Sequence, residues 1–437
     1  MAVDSQRSNL ESVASGEIGP APIWDRPYRS TWMRVLNGVG GAFDKVGVRT
    51  DLSPKALMTL AERRAKLSDW GDDRARLGLE ALVQSFETQG GAHAFGRLFF
   101  RETCVRLLVN RLKIQDDLTR HPEILDVPIR RPLVVTGLPR SGTTLLHRLL
   151  SEDPNGRTLL LWETLEPSPP PMAETYRTDP RIERARRSTK TLYSLAPKIP
   201  AAHLFESQTP EECNGLFAHV FAAIMLGFMF DVPDYAQWLA KQELVENYAY
   251  FKRQLQLLMW KCPGDHWVLK APAHMFGIDA LLEVFPDACI VMTHRDPLQV
   301  IPSTCSLGAG FRGIVSDRVD LRRLGAEMAE SLSEGTERAL AARAAADPAR
   351  FFDVAYPDLV ADPVRAARAA CEHFGYPCGD EYEARMRRWM AENPQHKHGV
   401  HRYSLDEFGL DPDEVRARFS VYRDWMAANL PASQERN

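Results

Sequence analysis

The feature that most constrains the fold of this chain is the stretch LVVTGLPRSGTTLL, residues 133–146. Its first four residues are apolar or β-branched, which is typical of a buried strand. Glycines follow at positions 137 and 142, and an apolar helical pattern begins at about Thr143. Such a turn gathers backbone N–H groups at the positive end of a helix and binds anions. The stretch therefore predicts a phosphate-type site on a strand–loop–helix unit.

The loop has the spacing of a phosphate-binding P-loop, G-x-x-x-x-G-K-[ST], but it lacks the lysine. Gly137, Gly142 and Thr144 fit the pattern, whereas Thr143 occupies the lysine position. A P-loop lysine reaches the β- and γ-phosphates of a nucleotide, so its absence argues against a kinase or NTPase. The donors of this loop are instead the guanidinium of Arg140 and the hydroxyls of three neighbours, Ser141, Thr143 and Thr144.

Strand-like and helix-like patterns alternate along the rest of the chain. Four β-rich runs, each followed by a helical pattern, lie at residues 133–136, 267–270, 288–294 and 351–356. This alternation predicts the α/β class, with a P-loop-type central parallel sheet flanked by helices. We expect a disordered tail over 1–22, an N-terminal helical region over 23–130 and the α/β domain over 131–437. An insert over 152–265, which opens with a proline-rich loop, is expected to lie on the substrate side.

Composition excludes several other classes of protein. The formal net charge is −4, whereas a general nucleic-acid binder is normally basic. Seven scattered cysteines without a C-x-x-C pair favour the cytoplasm over a disulfide or zinc scaffold. The polar N-terminus lacks the apolar core of a signal peptide. The longest apolar run, residues 216–230, is short for a transmembrane segment and is interpreted as a buried helix that could wall an acceptor pocket.

A second motif, THRDPLQVIPS at residues 293–303, ends an apolar strand and opens a helix. Asp296 suits the N-cap and Pro297 the first helical turn. Arg295 at the strand end and Ser303 two turns along the helix could hold one phosphate from two sides.

These two motifs together resemble the PAPS-dependent sulfotransferases, in particular a bacterial branch and the tyrosylprotein sulfotransferases. PAPS is 3′-phosphoadenosine 5′-phosphosulfate, and the resemblance covers roughly residues 131–425. It implies that TGLPRSGTTLL holds the 5′-phosphosulfate, that Arg295 and Ser303 hold the 3′-phosphate, and that PAP is the product. This donor has sulfate after its first phosphate, which agrees with the absence of the P-loop lysine.

Two weaker matches extend the resemblance. AYPDLVADP, residues 355–363, is similar to a family segment whose tyrosine lies near the adenine, and Tyr356 is the matching residue. NPQHKHGVHRYSL, residues 393–405, resembles the basic segment that closes over the nucleotide, which implies roles for Lys397 and Arg402. Its histidines have no carboxylate or cysteine partner at a useful spacing, so no metal site is expected.

Sulfuryl transfer requires cations on the leaving group and a base for the acceptor proton. Arg140 and Lys270, at the end of WVLK, are the predicted cations. The resemblance implies two candidates for the base: first His274, four residues after Lys270, and second Glu163 in LLLWET, which matches a catalytic glutamate of the tyrosylprotein sulfotransferases. Further candidates lie in HLFESQTPEEC, namely His203, Glu211 and Glu212.

The sequence therefore predicts a cytoplasmic enzyme that moves a sulfuryl group from PAPS to a hydroxyl, or an amine, of a small or lipid-like acceptor. No nucleic-acid partner and no transmembrane segment are expected. Two alternatives stay open at this point: a P-loop kinase or NTPase, and a non-catalytic module that binds phosphoadenosine. The sequence does not indicate the acceptor or the oligomeric state.

Overall fold

The computed structural model describes residues 27–45, 49–393 and 404–430. The tail predicted over 1–22 lies outside these ranges. The central element is a sheet of five parallel strands in the order β2-β3-β1-β4-β5. These strands are β1 (Leu133–Gly137), β2 (Gly156–Thr158), β3 (His266–Lys270), β4 (Cys289–His294) and β5 (Phe351–Ala355). The predicted parallel α/β sheet is confirmed. The sequence patterns missed β2, which has only three residues.

The middle strand, β1, is buried on both faces, as expected of a parallel sheet covered by helices. Leu133 and Val135 face one apolar cluster, and Val134 between them faces the other. In register, Val134 lies opposite Leu269 of β3 and Ile290 of β4. Because the strands are parallel, their carboxyl ends meet at one edge, and an open α/β sheet binds its ligands there.

The predicted N-terminal helical region is confirmed. Its four described helices are α1 (Thr31–Lys45), α2 (Pro54–Ala65), α3 (Arg74–Gln89) and α4 (Ala94–Arg120). The Ser53 hydroxyl accepts from the amide of Ala56 at the start of α2, and the ring of His93 accepts from the amide of Gly96 at the start of α4. Side chains of these helices belong to the same apolar cluster as Val134. The region therefore packs onto the sheet domain.

Sixteen further described helices surround the sheet. Those up to β4 are α5 (Thr143–Leu150), α6 (Leu161–Leu165), α7 (Pro180–Leu195), α8 (Ile199–Ala202), α9 (Asn214–Phe217), α10 (Ile224–Met229), α11 (Pro233–Ala240), α12 (Val245–Met259) and α13 (Ile278–Val284). Those beyond it are α14 (Pro297–Val315), α15 (Leu321–Ala345), α16 (Tyr356–Ala361), α17 (Pro363–Phe374), α18 (Asp380–Glu392), α19 (Pro412–Arg418) and α20 (Ser420–Asn429). Within the described ranges, none of the helices combines the length and apolar character required to cross a bilayer.

The expectation of one buried helix over 216–230 is wrong. The segment consists of the end of α9, a 3-10 turn at Ala218–Val220 and the separate helix α10. Phe221 adopts a positive φ of 52°, which interrupts the helix. The Tyr235 hydroxyl donates to the carbonyl of Phe221 and accepts from the amide of Ala223, so it satisfies backbone groups that the break exposes.

Candidate functional site

The loop of residues 137–144, called the glycine loop below, connects β1 to α5. Gly137 has a φ of +132°, and a Cβ atom there would lie 2.3 Å from the carbonyl oxygen of Thr293. Gly142 has a φ of +93°, and its Cβ would lie 2.5 Å from Leu359. Both positions therefore require glycine, for backbone conformation and for space. Arg140 also has a positive φ, 63°, which is uncommon for a residue with a side chain and is found at ligand sites.

The three hydroxyls of the glycine loop lie in different environments. Ser141 is buried, donates to the carbonyl of Leu138 at 2.5 Å and lies 2.6 Å from the Thr293 hydroxyl. It therefore fastens the loop to itself and to β4. Thr143 is buried in the first turn of α5, whereas Thr144 is exposed. Thr144 is thus the hydroxyl of this loop that lies open to solvent.

Four of the predicted donor-binding residues converge beside this loop. The Nε atom of Arg140 donates to the Ser303 hydroxyl at 3.1 Å. Arg295 donates to the carbonyl of Arg140 at 2.8 Å, and its guanidinium lies 3.9 Å above the ring of Tyr356. The side chain of Tyr356 also borders Gly142, 3.3 Å from the position of a Cβ there. Residues from three strand ends and from α14 therefore meet at one point.

A cavity of about 380 Å³ opens next to this cluster. Arg295, Gln299 and Pro302 line one side, and Ser404 and Leu405 line the other. Pro302 lies within α14, where it removes one backbone donor and exposes a carbonyl. The predicted closing residues Lys397 and Arg402 lie outside the described residues.

Lys270 occupies the other side of the glycine loop, at the carboxyl end of β3. Its ammonium group is 2.7 Å from a carboxylate oxygen of Glu212 and 3.4 Å from the Thr144 hydroxyl. The side chain of Lys270 is 2% exposed and that of Glu212 is 20% exposed. The second oxygen of Glu212 accepts from the side-chain amide of Asn214 at 2.7 Å. Both partners of the Glu212 side chain are hydrogen-bond donors, and one of them is the side chain of Lys270.

The neighbouring carboxylate, Glu211, faces a different set of groups. One oxygen accepts from the amide of Glu212 at 2.9 Å and lies 3.6 Å from Nε2 of His203. Burial by itself raises the pKa of Glu211. The nearby His203, the charge of Lys270 and the Glu212 amide together outweigh that effect and bring the pKa to about 2. Glu211 is therefore a permanent negative charge behind Glu212.

His274, the first sequence candidate for the base, lies in an aromatic cluster. Its Nδ1 atom is 2.9 Å from the Tyr248 hydroxyl, and the rings of Phe217 and Phe251 surround it. Burial lowers its pKa to about 3. No hydrogen bond among the described residues joins it to Lys270. The structure therefore does not bring His274 into the polar cluster around the loop.

Glu163, the second candidate, is fully buried in α6 and has three partners. One oxygen is 2.5 Å from Arg157, and the other accepts from the Tyr176 hydroxyl and the amide of Leu160, each at 3.0 Å. Both of its oxygens are therefore engaged with groups of the insert. The described residues include no cluster of three side chains suited to hold a metal ion.

An apolar wall connects the two polar clusters. One face of α14 carries Ser303, Leu307 and Phe311 at steps of four residues. Phe311 packs at 6.4 Å from Phe205 and at 6.1 Å from Phe228 of α10, measured between ring centroids. Phe205 in turn lies 4.3 Å from the His203 ring, which leads back to Glu211. We give the name apolar groove to this row of packed side chains, from Ser303 through Phe311 and Phe205 to His203, in which Phe311 is buried and Phe205 is partly buried.

The fold and the site define the class of protein. A parallel α/β sheet presents at its carboxyl edge a glycine loop, two arginines and a lysine paired with a carboxylate, and apolar side chains of α14 and of the insert pack beside them. This arrangement suits the transfer of an anionic group from a phosphate-containing donor to an acceptor with apolar parts.

Comparison with known proteins identifies the family to which this fold and site belong. The model described as "Sulfotransferase family" matches residues 132–381, which is more than half of the chain. The crystal structure of sulfotransferase STF9 from Mycobacterium avium is 34% identical and superposes with a TM-score of 0.79, covering 85% of this chain and 96% of that one. Sulfotransferase STF1 from Mycobacterium tuberculosis H37Rv is 33% identical, with a TM-score of 0.74 and coverages of 84% and 98%.

A curated relative from Mycobacterium bovis and Mycobacterium tuberculosis is omega-hydroxy-beta-dihydromenaquinone-9 sulfotransferase Stf3. It is 26% identical over 305 residues, which are 63% of this chain and 71% of the relative. The chain belongs to the sulfotransferase family, and it is an enzyme of sulfuryl transfer. The family and enzyme class expected from the sequence are confirmed, and the kinase and binding-module alternatives are no longer needed.

Proposed function

We propose that the sulfuryl donor is PAPS and that it binds at the carboxyl edge of the sheet. The backbone of the glycine loop and Arg140 would hold the 5′-phosphosulfate, and Arg295 with Ser303 would hold the 3′-phosphate. The convergence of Arg140, Ser303 and Arg295 within hydrogen-bond distance is the observation that carries this proposal. Tyr356 beneath the Arg295 guanidinium is suited to border the adenine.

The proposed base is Glu212, in preference to His274 and Glu163. The acceptor oxygen attacks sulfur, the bond from sulfur to the bridging oxygen breaks, and PAP leaves. Glu212 takes the acceptor proton, while Lys270 and Arg140 offset the charge on the leaving phosphate. Glu212 is supported by its contact with Lys270 and by its partial exposure. Glu163 is fully buried and paired with Arg157, and His274 is buried among aromatic rings beside the Tyr248 hydroxyl.

The proposed acceptor is a hydroxyl-bearing, lipid-like molecule whose apolar part lies in the apolar groove. Two observations support this: the partly buried aromatic rings of the groove and the name of the curated relative, which specifies a hydroxylated dihydromenaquinone. We also propose that the insert over 152–265 forms the acceptor side, because it supplies Phe205, Phe228 and Glu212. The cysteine usage favours the cytoplasm as the compartment.

A thermal-shift comparison tests the donor. PAP should raise the melting temperature more than ATP with magnesium does, because a ligand that binds the native state stabilises it by mass action. A larger shift from ATP with magnesium would exclude PAPS as the donor. Adenosine 5′-monophosphate, which lacks the 3′-phosphate, is the matched control for Arg295 and Ser303, and it should stabilise the protein less than PAP.

A chain-length series of primary alcohols tests the acceptor. With PAPS as donor, kcat/KM should rise with chain length, by up to about fourfold for each methylene that the groove buries. Phe311→Ala should flatten this increase while leaving the PAP thermal shift unchanged. A preference for short polar alcohols, with the full PAP shift retained, would reject the lipid-like acceptor and leave the donor assignment standing.

A further inference from the structure

The described surface concentrates exposed apolar side chains in one short segment. Nine large apolar side chains are exposed, and four of them lie within residues 28–39. These four are Tyr28, Trp32, Val35 and Val39, with exposed fractions between 51% and 62%. Trp32, Val35 and Val39 lie along one face of α1 at helical spacing, and Tyr28 lies in the segment that leads into the helix. We call these four side chains together the α1 stripe.

The opposite face of α1 is fixed to the protein. Met33 is completely buried, and the side chain of Asn37 accepts from the amide of Phe95 at 3.0 Å. Gly40 lies so close to α4 that a Cβ atom there would be 2.1 Å from the Cβ of Ala94. Because this face is fastened to α4, the helix cannot turn to bury the stripe. The stripe is therefore exposed while the opposite face of α1 packs against the protein.

The stripe adjoins the helix that carries the apolar groove. Arg29 donates to the carbonyl of Gly313 at 2.6 Å and pairs with Asp317 at 3.1 Å. Gly313 also borders Pro27, which would lie 3.1 Å from a Cβ at that glycine. Gly313 is two residues beyond Phe311 in α14. The chain leading into the stripe is thus attached at the end of the groove remote from Ser303.

A row of aromatic rings provides a second connection. The ring of Trp32 meets Phe95 edge-on at 5.3 Å, and Phe95 lies 6.3 Å from Phe99. Phe99 lies 6.4 Å from Phe230, which follows the last residue of α10. Helix α10 supplies Phe228 to the groove, and α14 supplies Phe311. The stripe is therefore connected to both of these helices through packed side chains.

We propose that the α1 stripe docks on a lipid bilayer and holds the outer end of the apolar groove against it. This inference rests on the proposed lipid-like acceptor, because such a molecule resides in the bilayer and must enter the groove from there. Tyr28 and Trp32 carry amphipathic rings that suit the membrane interface, and the exposed Arg34 next to the stripe suits anionic headgroups. The apolar stripe, the groove and the acceptor then form one continuous apolar path.

The experiment measures sedimentation of the full chain with vesicles of phosphatidylcholine and phosphatidylglycerol. Val35→Asp, at a residue 62% exposed in the stripe, is compared with Val421→Asp, at a residue 56% exposed on α20. Val35→Asp should weaken vesicle partition by about tenfold or more, because a charge replaces apolar area at the interface. Val421→Asp should sediment as the wild type does. Sulfation of a bilayer-held long-chain alcohol should fall in Val35→Asp, and sulfation of a short soluble alcohol should not.

Three outcomes overturn the inference. The wild type fails to sediment with vesicles, the two variants lose partition equally, or light scattering reports a wild-type dimer that Val35→Asp converts to a monomer. The last outcome would assign the stripe to a second copy of the chain. The PAP thermal shift, measured on the same samples, distinguishes failure of the docking surface from failure of the proposed donor. Loss of vesicle binding with a normal PAP shift rejects only the docking surface, whereas no PAP shift in any sample rejects the proposed donor.

Discussion

Replacement of Glu212 by glutamine tests the assignment of the base most directly. The carboxylate accepts from Lys270 and from Asn214, each at 2.7 Å. A glutamine side chain is nearly isosteric but has one oxygen acceptor and one NH₂ donor. In either orientation of the amide, its NH₂ group therefore faces the donor of Lys270 or that of Asn214, and one hydrogen bond is lost. The lost hydrogen bond should lower the free energy of unfolding by about 1–3 kcal/mol. The loss of general-base catalysis should lower kcat by about 10²–10⁴.

The assay measures transfer of labelled sulfate from PAPS at saturating acceptor, together with the melting temperature with and without PAP. Asn214→Ala is the matched control, because it removes one hydrogen bond to the side chain of Glu212 and keeps the carboxylate. Glu206→Gln controls for a nearby exposed glutamate. Asn214→Ala should retain most of the turnover and Glu206→Gln nearly all of it. An equal loss of turnover in Asn214→Ala and Glu212→Gln would refute Glu212 as the base and would assign it a positioning role.

Four further perturbations give distinct outcomes. Ser303→Ala should weaken PAP binding by roughly 10–100-fold, the range expected for a hydrogen bond to a charged group, and should leave adenosine 5′-monophosphate binding unchanged in calorimetry. Gly142→Ala should reduce the PAP thermal shift and cost about 1–3 kcal/mol of stability, because its φ is +93° and Leu359 fills the space. An unchanged melting curve would contradict that reasoning. Glu163→Gln should lower the free energy of unfolding by about 3–5 kcal/mol, since it removes the buried partner of a cation. The kcat of the folded fraction should stay within a few fold of the wild-type value. A large loss of kcat without destabilisation would instead support Glu163 as the base. His219→Gln should flatten the acid dependence of stability measured by urea unfolding between pH 6.5 and 4. Burial lowers the pKa of His219 from 6.5 to about 4. The unfolded chain therefore takes up the proton first, and the wild type loses up to about 3 kcal/mol across that window as pH falls.

The assignment of His219 to a structural role illustrates what tertiary contacts add. Its Nδ1 atom lies 2.8 Å from the side-chain oxygen of Gln254, and its Nε2 atom lies 3.1 Å from the side-chain nitrogen of Asn110. A neutral ring satisfies both, with Nδ1 donating to Gln254 and Nε2 accepting from Asn110, whereas a protonated ring cannot. The three residues lie far apart in sequence, so no local pattern indicates this network.

The candidate base was the least predictable part of the site. The sequence places His274 four residues from Lys270, and proximity along the chain favours it. The chain turns after β3, however, and carries His274 into the aromatic cluster around Tyr248. Glu212 lies 58 positions before Lys270. Adjacent glutamates at the start of α9 are the only sequence signal for it, and that signal does not indicate which cation they meet.

The sequence by itself determined the elements whose geometry is local. Glycines at 137 and 142 are required by backbone conformation. Arg295 at a strand end and Ser303 two turns along the next helix lie within one short segment, so a reading of neighbouring residues locates both pairs. Only the tertiary structure decided that Glu212 meets Lys270, that the run over 216–230 is broken, and that one face of α14 runs from the cluster of Arg140, Arg295 and Ser303 to the apolar groove. These contacts depend on how the insert packs against the sheet. Packing is set by side chains distant in sequence, whose spacing along the chain carries no information about their distance in space.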